Sequence, residues 1–216
     1  MAIKKVTIID YGVGNLLSLK MSLEFLGAEV VISRDERVIE NSSHIILPGV
    51  GAFPKAMELI KSLNLDKHLI RAKNKGTFIL GICLGMQLLT SESEEFGLTK
   101  GLNFIEGKVL SIKKSNNFRE DIKIPNIGWF NIHSKENTNV KDTLFNNITI
   151  KDTFYFVHSY MLGANKNNDS VLYTIDYSGI EIPSVVMKNN IIGCQFHPEI
   201  SGKSGLKFLN FFLSIK

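Results

Sequence analysis

Short apolar runs alternate with stretches of helical periodicity through the first half of the chain. Val6 to Asp10 reads as a buried strand, and the glycine turn behind it leads into a helix from Asn15 to Phe25, closed by Gly27. Leu16, Leu19, Leu23 and Leu26 give that helix an apolar stripe at three- and four-residue spacing. Further strands are expected from Glu29 to Ile32 and from His44 to Leu47, then helices from Lys55 to Leu63 and from Asp66 to Lys73. A fourth apolar run, Phe78 to Ile82, is another strand. Apolar strands separated by helices predict an α/β architecture, a mostly parallel central sheet with helices on both faces.

From about Lys108 the pattern becomes rich in strands. Candidates run from Val109 to Ile112, Phe154 to His158, Val171 to Ile175, Ser184 to Lys188 and Ile191 to Phe196, with polar loops between them. Stretches rich in Asn and Lys at 115–117, 137–142 and 164–169 read as exposed turns. An amphipathic helix from Ser204 to Leu213 is expected to pack on the sheet. No repeat or low-complexity linker divides the chain, so one domain over 1–216 is expected.

Composition narrows the function more than the fold. Hydrophobic residues make up 44% and charged residues 21%, which suits an ordinary globular protein and not a disordered one. The net charge of +4 is scattered, and the Lys-Lys pairs at 4–5 and 113–114 form no basic stripe interleaved with aromatics. Nucleic acid is therefore not an expected partner. No apolar run approaches the ~18 residues of a membrane span, and residues 1–10, short and soon interrupted, are not expected to act as a signal peptide. Two cysteines, Cys83 and Cys194, are too few for a disulfide framework and fit a reducing, cytoplasmic setting. Cys194 sits within an apolar run and reads as a small core residue.

Cys83 is different. It stands in Gly81-Ile-Cys-Leu-Gly-Met-Gln87, at the junction of the fourth strand with a following helix. A cysteine between two glycines at such a junction has the pattern of a nucleophile elbow: glycine allows the tight turn and close helix packing. The N–H groups at the helix start favour a thiolate. A base for it occurs far along the chain, in Gln195-Phe-His-Pro-Glu199. Pro198 ends the strand's hydrogen bonding just after His197, and Glu199 can turn to the same side and orient the imidazole. Cys83, His197 and Glu199 thus supply a nucleophile, a general base and an orienter.

These two motifs resemble the class I, triad-type glutamine amidotransferases. Asp10-Tyr-Gly-Val-Gly-Asn-Leu16, Pro48-Gly-Val-Gly-Ala-Phe53, Ser93-Glu-Glu95, Pro125-Asn-Ile-Gly-Trp129 and Tyr155-Phe-Val-His-Ser-Tyr160 narrow the likeness to the glutaminase subunits of imidazole glycerol phosphate synthases. The resemblance covers nearly the whole chain in order, and implies the three-layer fold of that class with no cofactor and no metal. It implies an oxyanion hole from the Leu84 N–H with one from the loop Gly49, Val50 and Gly51. Substrate contacts are implied for Gln87, for Glu95 facing the α-ammonium of glutamine, and for the backbone at His158, Ser159 and Tyr160. His158 is not expected to be the base, because no carboxylate follows it at short range.

A glutaminase delivers ammonia to a second site, and 216 residues are consumed by the glutaminase itself. An obligatory partner is expected: by resemblance, a (β/α)₈-barrel cyclase subunit in a heterodimer, which acts on an aminoimidazole carboxamide nucleotide. Asn126, Trp129, Tyr155 and Ile200 are the positions that the resemblance sets toward that partner. The family's Pro-His-x-Gly-Trp-Asn appears here as Pro125-Asn-Ile-Gly-Trp-Phe130, and the usual lysine after the catalytic glutamate is Ile200. These departures spare the triad but leave open a second reading: a paralogue that supplies ammonia for amidation of a nucleotide-activated or surface-polysaccharide sugar.

Overall fold

The structure, a computed structural model, describes residues 4–135, 148–149, 151–163 and 169–215. Strands β1 (Lys5–Ile9), β2 (Glu29–Ser33), β3 (His44–Leu47) and β4 (Phe78–Ile82) are linked by α1 (Leu16–Phe25), α2 (Glu36–Glu40), α3 (Phe53–Ser62) and α4 (Leu65–Asn74). A short helix α5 (Leu84–Leu88) follows β4 directly. The second half contains β5 (Glu92–Ser93), β6 (Thr99–Lys100), β7 (Lys108–Ser111), β8 (Asn126–Asn131), β9 (His133–Ser134), β10 (Thr153–His158) and β11 (Tyr160–Leu162). It ends with β12 (Val171–Tyr177), β13 (Ile180–Lys188), β14 (Ile191–Cys194) and α6 (Gly202–Ser214).

Among the described residues, eight strands form the central sheet in the order β2-β1-β3-β4-β14-β13-β12-β9. Neighbours pair in parallel from β2 through β14, and antiparallel from β14 to β9. The parallel part carries the site. Alternate residues of its strands face two separate apolar layers. Val6, Ile8, Ile46, Leu80 and Ile82 join Leu19 and Leu23 of α1 and Phe208, Leu209 and Phe212 of α6. Ile9, Ile45, Leu47 and Ile79 join Met57 and Ile60 of α3, Leu69 of α4, and Leu84 and Leu88 of α5. Helices thus cover both faces, as the periodicity predicts.

Several boundaries differ from the expected ones for local reasons. β7 stops at Ser111, whose hydroxyl accepts the Lys113 N–H and opens a 3₁₀ turn over Ile112–Lys114. β14 ends at Cys194, so Gln195 and Phe196 lie beyond the strand. β13 begins earlier than expected because Ser178 and Gly179, both at positive φ, turn β12 back into it. Helix α2 was not legible from apolar periodicity; Asp35 caps it by accepting the Arg37 and Val38 N–H groups. The stretch 115–117 is a turn, while 137–142 and 164–168 lie outside the described residues.

One buried histidine sets an expectation for stability. His44 lies between the Phe78 and Phe212 rings at 5.4 and 5.0 Å. Burial, and then the charge of Lys4, lower it from its ordinary 6.5 to about 4, with the Phe212 backbone opposing. Between these values the unfolded chain takes up a proton that the folded chain does not, so stability falls as pH drops through that window. Urea midpoints at pH 7 and pH 4.5 should therefore differ less in His44→Phe than in the parent. An equal difference in both would show that His44 does not titrate on unfolding.

Candidate active site

β4 ends at Ile82, and Cys83 takes the turn into α5 with φ 53° and ψ −110°. That conformation is strained for a residue with a Cβ, by roughly 1–3 kcal/mol, and persists only where its surroundings determine it. Here the Cys83 N–H donates to Cys194 O at 2.8 Å, and Cys83 O accepts the Gln87 N–H at 3.2 Å. The flanking glycines let the segment close: a Cβ on Gly81 would lie 2.6 Å from Gly85 O, and one on Gly85 would collide with Leu47 O. The thiol is thereby aimed into a cleft rather than along the sheet. Because α5 spans only five residues, the first-turn N–H groups contribute more there than a macrodipole does.

His197 reaches the same cleft from the end of β14, the strand that pairs with β4. Beyond β14 its N–H donates to Tyr155 O at 2.9 Å, and Ser201 Oγ donates to His197 O at 2.6 Å. Ser201 Oγ also accepts the Tyr155 N–H, so one hydroxyl ties β10 to the histidine's own backbone. Pro198 opens a 3₁₀ turn over Pro198–Ile200 that brings Glu199 Oε1 to 2.9 Å from His197 Nδ1. Both side chains are buried, and Glu199 Oε2 has no hydrogen-bond partner among the described residues, so the imidazole is the carboxylate's support there. Nε2 makes no hydrogen bond of ordinary geometry and is left open, with the Cys83 sulfur acting on the ring as a close neighbour. Burial lowers His197, yet the Cys83 and Glu199 side chains outweigh it and push the ring up to about 10. An imidazolium between a sulfur and a carboxylate is the state this geometry favours.

The cleft holds about 390 Å³, enough for an amino-acid substrate, and Cys83 and His197 both line it. Gln87, Glu95, His158, Ser159 and Tyr160 line it too, so all five expected substrate residues come together. Gln87 Nε2 donates to Tyr160 O and to Gln195 Oε1, each at 3.0 Å, which commits both amide hydrogens and leaves its carbonyl for a ligand. Glu95 Oε2 accepts the Phe53 N–H at 2.7 Å, and burial outweighs that bond to raise its pKa. His158 donates from Nδ1 to Tyr160 O at 2.9 Å and accepts from Asn126 Nδ2 at 3.0 Å. With burial lowering it to about 4, the Tyr160 bond opposing and the His197 charge adding, it is a neutral wall and not a base.

The loop after β3 meets α5 at the cleft floor. Val50, Gly51 and Leu84 line the cavity, whereas Gly49 lies behind it, where a Cβ would be 3.0 Å from the Leu84 Cβ and 2.6 Å from the Tyr11 hydroxyl. Tyr11 donates to Pro48 O at 2.6 Å, so the first glycine turn of the chain holds this loop in position. Among the described residues no group of three or more His, Cys, Asp or Glu is placed to hold a metal ion. Nor is any described helix long and apolar enough to cross a membrane.

The four residues expected at a partner interface do not all lie at the surface. β8 and β10 pair antiparallel, with Trp129 opposite Tyr155 and Asn126 opposite His158. Trp129 is 54% exposed and stacks edge-on to Tyr155 at 5.6 Å, and Ile200 is 41% exposed. Asn126 is a correction: it is fully buried. Strand parity explains this, because Trp129 outward puts Asn126 inward and exposes Ile127 instead, at 57%. Ile127, Ser201 and Gln195 are the site residues that sequence reasoning left without a role. For Gln195 a signal existed, a lone amide in the apolar run that leads to His197.

A strained cysteine elbow facing a buried His–Glu pair, on the parallel part of a three-layer α/β sheet, defines a thiol amidohydrolase of the amidotransferase type. The family model for "Glutamine amidotransferase class-I" matches residues 7–215, and the chain belongs to that family. Within it, the chain is 43% identical over 206 residues to the imidazole glycerol phosphate synthase subunit HisH of Caldanaerobacter subterraneus subsp. tengcongensis, covering 95% of each protein. It is 42% identical to the HisH subunit of Lactococcus lactis subsp. lactis, covering 97% of this chain and 98% of that protein. A solved glutamine amidotransferase shares the fold at a TM-score of 0.68 and 17% identity, over 96% of this chain and 97% of its own.

Proposed function

We propose that the chain, as one domain, is the glutaminase subunit of an imidazole glycerol phosphate synthase. It hydrolyses glutamine to glutamate and passes the ammonia to a cyclase subunit of (β/α)₈-barrel form, in histidine biosynthesis. The carrying observation is Cys83 at positive φ in a cleft shared with His197, whose Nδ1 is held by Glu199. The Cys83 thiolate attacks the side-chain carbonyl carbon of glutamine, and the oxyanion that forms is met by the Leu84 N–H and the Gly49–Gly51 loop. Collapse breaks the C–N bond as His197 gives its proton to the leaving nitrogen, releasing ammonia and leaving a glutamyl thioester. His197 then takes a proton from water, which attacks the thioester and frees glutamate and the thiolate. Glu199 holds the ring in the tautomer that both steps need. Glu95 and the Gln87 carbonyl offer acceptors to the α-ammonium of the substrate.

The outer face of the β8–β10 pair supports a docked partner. Ile127, Trp129 and Tyr155 share that face with Val157, which lines the cleft and whose carbonyl is 4.0 Å from the Cys83 sulfur. Ile200 adds to the exposed apolar surface, and α1, packed against the turn that carries it, exposes Leu17, Met21 and Phe25 at four-residue spacing. Apolar surface of this kind, next to the exit of a reactive product, suits a permanent subunit. Ile200, where the family has lysine, is the observation that keeps the sugar-amidation reading as the alternative. Mixing the chain with a histidine-pathway cyclase and its nucleotide substrate should raise glutamine hydrolysis well above the rate of the chain alone. A rate unchanged by that partner, but raised by a sugar-pathway one, would transfer the assignment to the alternative.

A further inference from the structure

We propose that Gln195 is a positioning residue that presents an N–H to the Cys83 sulfur, with its orientation imposed by the Tyr160 carbonyl through the Gln87 amide. This rests on the reading of Cys83 as the nucleophile. Gln195 is fully buried and does not line the cavity, so it is not placed to touch substrate. Its Nε2 lies 3.7 Å from Cys83 Sγ, and its Oε1 accepts from Gln87 Nε2 at 3.0 Å.

The polarity of this chain of amides follows from one fixed end. A backbone carbonyl only accepts, so the end of the Gln87 amide that meets Tyr160 O must be its nitrogen. The second hydrogen of that nitrogen points to Gln195, which must therefore turn its oxygen to Gln87 and its nitrogen to the sulfur. The reversed amide would set two NH₂ groups against each other at one end and a carbonyl against a thiolate at the other. A buried amide locked this way favours the charged form of the sulfur over the neutral thiol. Beyond β14, the main-chain bond from the Gln195 N–H to Ser184 O at 2.9 Å holds the residue's backbone in place.

The test is the pH profile of Cys83 alkylation by iodoacetamide in the full chain, followed by peptide mass mapping, which needs no turnover and so does not depend on the glutaminase assignment. Gln195→Met keeps the volume and removes the donor. Its profile should move to higher pH, with alkylation about tenfold slower on the acid side of the midpoint, the effect of losing one weak hydrogen bond to a charged group. Gln195→Glu, with an acceptor in place of the donor, should move it further in the same direction. Gln87→Met frees the Gln195 amide to rotate and should give a smaller shift of the same sign. A residue that only packs would slow alkylation evenly at all pH values and leave the midpoint where it was. An unchanged midpoint in Gln195→Met, or an acid shift in Gln195→Glu, overturns the proposal, and an unchanged midpoint in Gln87→Met overturns the imposed polarity.

Discussion

Replacing Cys83 with serine lowers glutamine hydrolysis by at least about 10⁴-fold, the scale on which triad enzymes lose rate when the nucleophile goes. The expectation rests on geometry. Serine fits the turn at φ 53° and keeps the backbone bonds to Cys194 and Gln87, so the fold and the cleft survive while the thiolate does not. Glutamate release with the partner subunit present measures the loss, and an unchanged thermal midpoint shows that structure is retained. Cys194 is the internal control. It is fully buried, and burial, followed by the charges of Glu199 and Cys83, raises its thiol well above the ordinary value. Cys194→Ser should keep most of the activity, and a glutamine-mimicking diazo ketone should label Cys83 alone. Residual activity in Cys83→Ser within tenfold of the parent would remove the thiolate from the reaction.

Glu199→Gln should slow turnover about 10²-fold, the lower end of what a positioned base contributes, and should also change the pH dependence. In the parent, His197 is held at about 10, its burial outweighed by Cys83 and Glu199, so the ring stays protonated through neutral pH and loses its proton only on the alkaline side. The amide removes the stabilising charge and leaves the ring, at best, a weaker neutral acceptor in place of the carboxylate. The alkaline limb of kcat/KM should then begin at lower pH than in the parent. The same shift has a sign for stability. A histidine raised on folding stabilises fully below its unfolded value of 6.5, and that contribution disappears as pH rises through about 10. Stability of the parent should therefore fall between these limits more steeply than that of Glu199→Gln. An alkaline limb that does not move would separate Glu199 from the titration of His197.

Much of this site was legible because it is local in sequence. The apolar run from Phe78 ends in Gly-x-Cys-x-Gly at 81–85, which marks an elbow by itself, and the structure shows that Gly85 O and Leu47 O leave no room for a side chain at the two glycines. His-Pro-Glu likewise combines a base, a strand breaker and a carboxylate within reach of one imidazole. Asn126 was misread for a reason that periodicity alone does not resolve. Asn-Ile-Gly-Trp-Phe-Asn has no clean alternation, so neither the existence of β8 nor its parity was evident, and parity decides which side chains a partner meets. Trp129, large and exposed opposite Tyr155, and Asn126, bonded inward to His158, belong to opposite faces of one strand.

The chain's sequence by itself pointed to the layered α/β class, the cysteine elbow and the His-Pro-Glu segment that the fold brings to the same cleft. These follow from hydrophobic period and from glycine, proline and carboxylate chemistry acting over a few neighbouring residues. Only the tertiary structure decided which amides touch the sulfur, which histidine is neutral and which is charged, and which face of β8 is dry. Each of those depends on burial and on contacts between segments far apart in the chain, 73 positions for Gln87 and Tyr160 and 112 for Gln195 and Cys83. Desolvation and hydrogen-bond polarity are properties of the assembled cleft, and no short window of residues contains them.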